Sequence, residues 1–133
     1  MKKILSLSFL IGCLILSFQS CQDQPYKQGA ILYTNFCANC HMEDGSGLIG
    51  NIPPLAQADY VKNDPLDMAC IIRKGMDGPI QVNGQDYQTP MAAITKLSEF
   101  EITNVINYIN HSWGNDYGVV KLADVRSRLE NCD

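Results

Sequence analysis

Residues 36–45 read FCANCHMEDG, which sets the thiols of Cys37 and Cys40 and the imidazole of His41 within little more than one helical turn. Three chemistries use such a set. A redox dithiol exchanges with disulfides, and a zinc site takes thiolate and imidazole as ligands. A haem attachment site joins both thiols to the porphyrin as thioethers and turns the next imidazole beneath the ring to ligate iron. A thioredoxin-type dithiol follows a strand in a βαβ unit, and no strand pattern precedes Cys37. Zinc needs four ligands, whereas His111, Cys70 and Cys132 form no second short-spaced pair. Haem attachment needs nothing that the stretch lacks.

Iron held by His41 on one face leaves the other face for a second ligand. A thioether there has to come from a distant loop, and Met91 qualifies, since it follows a hairpin pattern and stands beside the rigid Pro90. Met42 adjoins His41 and cannot reach over the ring. Met68 reads as core. Met76, just after the helix-ending Gly75, is a rival, and an open position is a further alternative. His111, at a helix C-terminus, reads as a capping charge rather than a ligand.

The elements that must position these groups are mostly helical. A first helix is expected over residues 27–38, with Ala30, Ile31, Tyr33, Thr34 and Phe36 on its inner side. After His41 runs a glycine- and proline-rich stretch, MEDGSGLIGNIPPLA, of the kind that is functional or wrapped around something. Asp64-Pro65 reads as an N-cap followed by proline at the first helical position, with Leu66, Ala69, Cys70 and Ile72 continuing to Gly75. GPIQVNGQDYQ alternates around Asn83-Gly84, a hairpin signal. Ser98 with Glu101 makes a capping box for a helix over residues 99–112, whose stripe is Ile102, Val105, Ile106 and Ile109. A short helix over residues 122–129 ends the pattern. Three to five short helices enclose little core by themselves, and an apolar cofactor in the middle supplies what is missing.

The 133 residues suffice for one domain. Residues 1–20, MKKILSLSFLIGCLILSFQS, read as a secretory leader, too short in its apolar run for a membrane span. Cys21 follows at once and reads as the lipidated first residue of a mature lipoprotein, with residues 21–26 as linker and 27–133 as the folded domain. Cys13 is the other candidate for that cleavage site, though cutting there truncates the apolar run. An uncleaved anchor and simple secretion are the alternatives to lipidation. Loss of Lys2 and Lys3 makes the formal charge of −4 two units more negative, which argues against nucleic acid as a partner. Of six cysteines, Cys70 and Cys132 remain. An oxidising compartment lets them pair, closing a loop of about 60 residues worth about 4 kcal/mol. The alternative is a buried thiol at 70 and a loose tail at 132.

The runs IIRKGMDGPIQVNGQDYQTPM, LSEFEITNVINYINHSWGN and VKLADVRSRL, together with Cys37-Ala38-Asn39-Cys40-His41, resemble the class I mono-haem cytochromes c, in particular those serving bacterial terminal oxidases and copper nitrite reductases. The resemblance implies an all-α small cytochrome c fold around one covalent haem c. It makes Cys37 and Cys40 the thioether links, His41 the proximal ligand and Met91 the distal ligand. It assigns the Pro53 carbonyl as acceptor for the His41 ring N–H, and a crossing of Gly29 and Tyr33 with Val105 and Tyr108. The chain departs from many relatives in reading Pro90-Met91-Ala92 where they read Met-Pro. Tyr87 and Trp113 are candidate donors to haem propionates, or packing aromatics. The implied function is one-electron transfer outside the cytoplasm, in the periplasm, from quinol-oxidising complexes or dehydrogenases to a terminal oxidase or nitrite reductase, with a lipid anchor in the membrane and no small-molecule substrate. The alternatives are a subunit held permanently on an oxidoreductase, and a sensor or peroxidase-like protein whose distal ligand departs.

Overall fold

Ser98 opens the longest helix of the domain. In the computed structural model, which describes residues 26–132, the Ser98 hydroxyl accepts from the Glu101 amide while the Glu101 carboxylate accepts from the Ser98 amide. This is the expected capping box. In chain order the elements are α1 (Lys27–Phe36), α2 (Ala38–His41), α3 (Asp59–Asn63), α4 (Met68–Lys74), β1 (Ile80–Val82), β2 (Gln85–Tyr87), α5 (Glu99–Asn110) and α6 (Leu122–Glu130). The all-α architecture with one small hairpin is the expected one. The helices number six among the described residues rather than three to five, because α2 and α3, of 4 and 5 residues, were not anticipated.

The stripe of α5 forms the centre of the core. Ile102, Val105, Ile106 and Ile109 recur at helical spacing and none is more than 2% exposed; each such burial is worth about 1.5–3 kcal/mol. Helix α1 crosses α5 where Gly29 lies against the Asn104 carbonyl and Tyr108. Tyr33 is wholly buried there, its ring 5.4 Å from that of Tyr108 and 4.9 Å from that of Trp113.

Two boundaries differ from expectation. The first helix breaks at Cys37, whose φ of −121° is not helical, and restarts as α2. Asp64 does not open α4. Its carboxylate accepts from the amides of Leu66 and Asp67 at 3.1 and 3.2 Å, capping a separate turn, and α4 starts only at Met68. The hairpin is as expected: Ile80 pairs with Tyr87 and Val82 with Gln85. Asn83 and Gly84 both take positive φ (52° and 77°), the geometry of a tight two-residue turn.

Cys70 and Cys132 are joined by a disulfide across 62 positions of sequence, fastening the end of α6 onto α4. An Arg128–Asp67 ion pair lies alongside, and Lys74 donates to the Cys132 carbonyl at 2.6 Å. No helix among the described residues is long and apolar enough to cross a membrane. The leader, Cys13 and Cys21 lie outside the described residues.

Candidate cofactor site

Cys37, Cys40 and His41 open onto a cavity of about 410 Å³, within the range of about 300–1,000 Å³ usual for ligand pockets. Isoleucine, proline, methionine and aromatic side chains make up most of its wall, and no Lys, Arg, Asp or Glu is among the described residues that line it. Cys37 is buried and Cys40 exposed, so the pair runs from the interior to the surface.

Burial, with a smaller contribution from Cys40, pushes the Cys37 thiol up to about 12. A redox dithiol needs the reverse, a thiol lowered toward neutrality so that thiolate is present. Among the described residues no group of three or more His, Cys, Asp or Glu is placed to hold a metal ion directly.

The local fold commits one ring nitrogen of His41 and leaves the other uncommitted. Its Nδ1 lies 3.0 Å from the Pro53 carbonyl, and Nε2 has no hydrogen-bond partner among the described residues. Burial lowers the imidazole pKa, with the Pro53 bond opposing it in part, which favours the neutral ring that can offer a lone pair. Gly47 makes the close approach of this loop attainable. At φ 64° it donates its amide to the His41 carbonyl, and a Cβ there would stand 2.6 Å from the Pro53 oxygen. Tyr33 secures the other end by donating to the Met42 carbonyl at 2.6 Å; burial raises its phenol well above the ordinary value.

Met91 reaches the same cavity from a different loop. Its amide donates to the Met76 carbonyl at 2.8 Å and its carbonyl accepts from the Met76 amide at 2.9 Å, and the Ile94 amide donates to the Ile72 carbonyl. These bonds hang the loop on the end of α4. Gly75, at φ 80°, is required, since a Cβ would collide with the Met91 carbonyl. Met68 and Met76 also line the cavity, so three methionines contribute to its wall.

The two other sequence candidates lie elsewhere. His111 is outside the cavity: it ends α5, its Nδ1 lies 2.9 Å from the Asn107 carbonyl, and its ring stacks on Tyr26 at 4.6 Å. Trp113 is likewise outside the lining, and its indole N–H donates to the Glu43 carbonyl at 3.1 Å. Tyr87 does line the cavity. Sequence reasoning missed Asn115, which is 7% exposed and bonds to Leu55, Gln57 and Ile109; only its place beside a glycine after the helix marked it.

The residues present fit a covalently attached porphyrin: one buried and one exposed thiol along the cavity, one imidazole with a free nitrogen, a methionine in the same lining and an otherwise uncharged wall. The Cytochrome c family profile matches residues 26–113. The chain is 31% identical over 118 residues to cytochrome c-552 of Thermus thermophilus, spanning 86% of this chain and 74% of that protein. It is 37% identical over 100 residues to the cytochrome c subunit of the quinone alcohol dehydrogenase of Gluconacetobacter polyoxogenes, covering 73% of this chain but 21% of the subunit. The gluconate 2-dehydrogenase cytochrome c subunit of Pantoea cypripedii is 33% identical over 92 residues, again over 21% of its length.

Proposed function

Because the chain belongs to the cytochrome c family, we propose that it passes single electrons between redox proteins through a haem c ligated by His41 and Met91. Haem c in this family is held covalently through a cysteine pair, here Cys37 and Cys40. The protein is an electron carrier and does not itself catalyse a reaction. The observation that carries the proposed ligation is the convergence of Cys37, Cys40, His41 and Met91 on one uncharged cavity, with the other ring nitrogen of His41 committed to Pro53.

The bound haem supplies the one-electron chemistry, and the chain sets its potential and access. A soft thioether beside a neutral imidazole favours the ferrous state and raises the potential. So does a wall without carboxylates, because the ferric charge gains no counter-charge there. The Pro53 carbonyl works the other way, making the imidazole more electron-donating. With His41 and Met91 both holding the iron, no place on it would be left for a substrate. The exposed Cys40 marks the surface end of the site.

Carbon monoxide tests this directly. The reduced holoprotein at neutral pH should keep its spectrum under the gas, and ready binding would replace the closed site with the sensor or peroxidase-like alternative.

The partners are redox proteins. The likeness to cytochrome c subunits of dehydrogenases supports a dehydrogenase as donor, with the domain either shuttling or held permanently as a subunit. Stoichiometric co-purification with a large enzyme distinguishes the subunit. A terminal oxidase, a nitrite reductase or a quinol-oxidising complex complete the proposed set. The Cys70–Cys132 bond supports an extracytoplasmic, periplasmic domain, since disulfides persist in oxidising compartments. Residues 1–20 are the proposed leader and Cys21 the lipid anchor, and mass spectrometry of the mature N-terminus tests both.

A further inference from the structure

We propose that Asn115 is a positioning residue for His41: it clamps the 55–57 segment onto the end of α5 and so holds the Pro53 carbonyl against the imidazole. The inference rests on the ligation by His41 proposed above.

Asn115 is a buried side chain, 7% exposed, with every amide bond accounted for. Its Oδ1 accepts from the Gln57 amide at 2.6 Å. Its Nδ2 donates both hydrogens, to the Leu55 carbonyl at 3.0 Å and to the Ile109 carbonyl at 2.7 Å. One side chain therefore ties a loop to a helix that lies more than fifty positions away in sequence. What it restrains is a conformation that does not hold itself. Gln57 has φ 50°, a left-handed geometry uncommon for a residue with a side chain. The loop is also short of regular structure: besides Asn115, the Leu55 and Ala56 amides donate to the Gly45 carbonyl, and two longer bonds reach Gln57, its carbonyl accepting from Asn83 Nδ2 at 3.3 Å and its Nε2 donating to the Trp113 carbonyl at 3.4 Å.

Between the clamp at Leu55 and the acceptor on Pro53 stands one residue, Pro54. Pro54 has a fixed φ and restricts Pro53 before it to extended geometry. Few soft torsions separate the Leu55 carbonyl held by Asn115 from the Pro53 carbonyl that faces His41 at 3.0 Å. A displacement at one is transmitted to the other instead of being absorbed between them. The neighbouring Trp113 closes the far end of the same loop, donating to the Glu43 carbonyl with its ring lying on Gly45. Residues 113–115 thus grip both ends of the segment that carries the acceptor.

A bond from a ligating imidazole to a carbonyl raises the ligand's electron donation. Loosening it makes the imidazole a poorer donor to ferric iron, so the reduction potential should rise. The test compares holoprotein variants Asn115→Ala and Asn115→Asp with Val125→Ala, a substitution at a buried position of α6 that is not among the cavity-lining residues. In both Asn115 variants the ferrous protein should exchange its His41 Nδ1 proton at least tenfold faster by NMR, with a higher potential. Val125→Ala should move neither, whatever stability it loses. An unchanged proton and potential in the Asn115 variants, or equal changes in Val125→Ala, overturn the proposal.

Should neither Asn115 variant fold, native-state hydrogen exchange of the wild-type holoprotein decides. The Gln57 amide, which donates to Asn115, and the His41 ring proton should then open in one event with the same denaturant dependence. Exchange of the His41 proton while Gln57 stays protected overturns the proposal. Failure of the underlying ligation has a different signature, an absence of imidazole ligation in the wild-type spectrum itself.

Discussion

Replacing Gly29 by alanine sets two effects of opposite sign against each other. Gly29 lies inside α1, where alanine is intrinsically better by about 1 kcal/mol. The helix-crossing geometry reverses that sign. A Cβ on Gly29 would stand 2.6 Å from the Tyr108 Cβ and closer still to the Asn104 carbonyl oxygen. Favourable carbon–carbon contact begins at about 3.5 Å, so α1 and α5 must separate by roughly an ångström. Neither obstacle is the flexible end of a side chain, and no rotamer change relieves the overlap. Overpacking of this kind costs about 1–3 kcal/mol. An ångström of separation also forfeits a quarter to a half of the dispersion energy of the atoms facing each other, about the contacts made by Tyr33 across the crossing. With overpacking at the upper end of its range because both obstacles are rigid, the expected net effect is a loss of about 1–2 kcal/mol after the gain in helix propensity. Guanidinium unfolding of the holoprotein, followed by far-ultraviolet circular dichroism and by Trp113 fluorescence, measures it as a fall in midpoint at unchanged slope. A variant as stable as the wild type, or more stable, would refute the close crossing of α1 on α5.

Removing the disulfide by Cys70→Ser with Cys132→Ser frees a loop of 62 positions, for an expected loss of about 4 kcal/mol in the chain-entropy estimate; denaturant melts check it, and the haem spectrum should stay unchanged because neither sulfur lines the cavity. Ser98→Ala should cost about 1 kcal/mol at neutral pH by removing an N-cap. The Ser98 amide, and then its hydroxyl, hold the Glu101 carboxyl below its ordinary value. The stabilisation from Glu101 is therefore complete above the ordinary carboxyl range and disappears as pH falls through the lowered value. Melts of wild type and Ser98→Ala should accordingly draw closer in acid without converging, because the hydroxyl bond to the Glu101 carboxylate is lost on protonation whereas its bond to the Glu101 amide does not titrate, and a difference that widens in acid would contradict the capping box. Denatured polypeptide from cells able to attach haem should carry the mass of one covalent porphyrin, and Cys37→Ala with Cys40→Ala should carry none.

What was legible in the sequence is what short-range chemistry decides. Cys37, Cys40 and His41 are adjacent in the chain and need no folding to be recognised. Ser98 and Glu101 bond three positions apart, and Asn83-Gly84 demands its turn locally. Helix starts set by competition were less legible. Asp64 looked like the N-cap of α4, yet its carboxylate serves a turn of its own, and α4 waits for Met68. Least legible were groups whose partners are remote. The Trp113 indole meets Glu43 across 70 positions and Asn115 meets Leu55 across 60, so neither role leaves a local pattern. Composition alone could not separate Met91 from Met76 either, since their mutual backbone pairing brings both to the cavity.

That last pair marks the decisive measurement. The oxidised holoprotein should show the weak charge-transfer band of iron bound to a thioether. Met91→Leu should abolish it, and Met76→Leu should leave it in place. A band that survives Met91→Leu and vanishes in Met76→Leu, or is missing from the wild type, would contradict the clamp of His41 and Met91 on the iron.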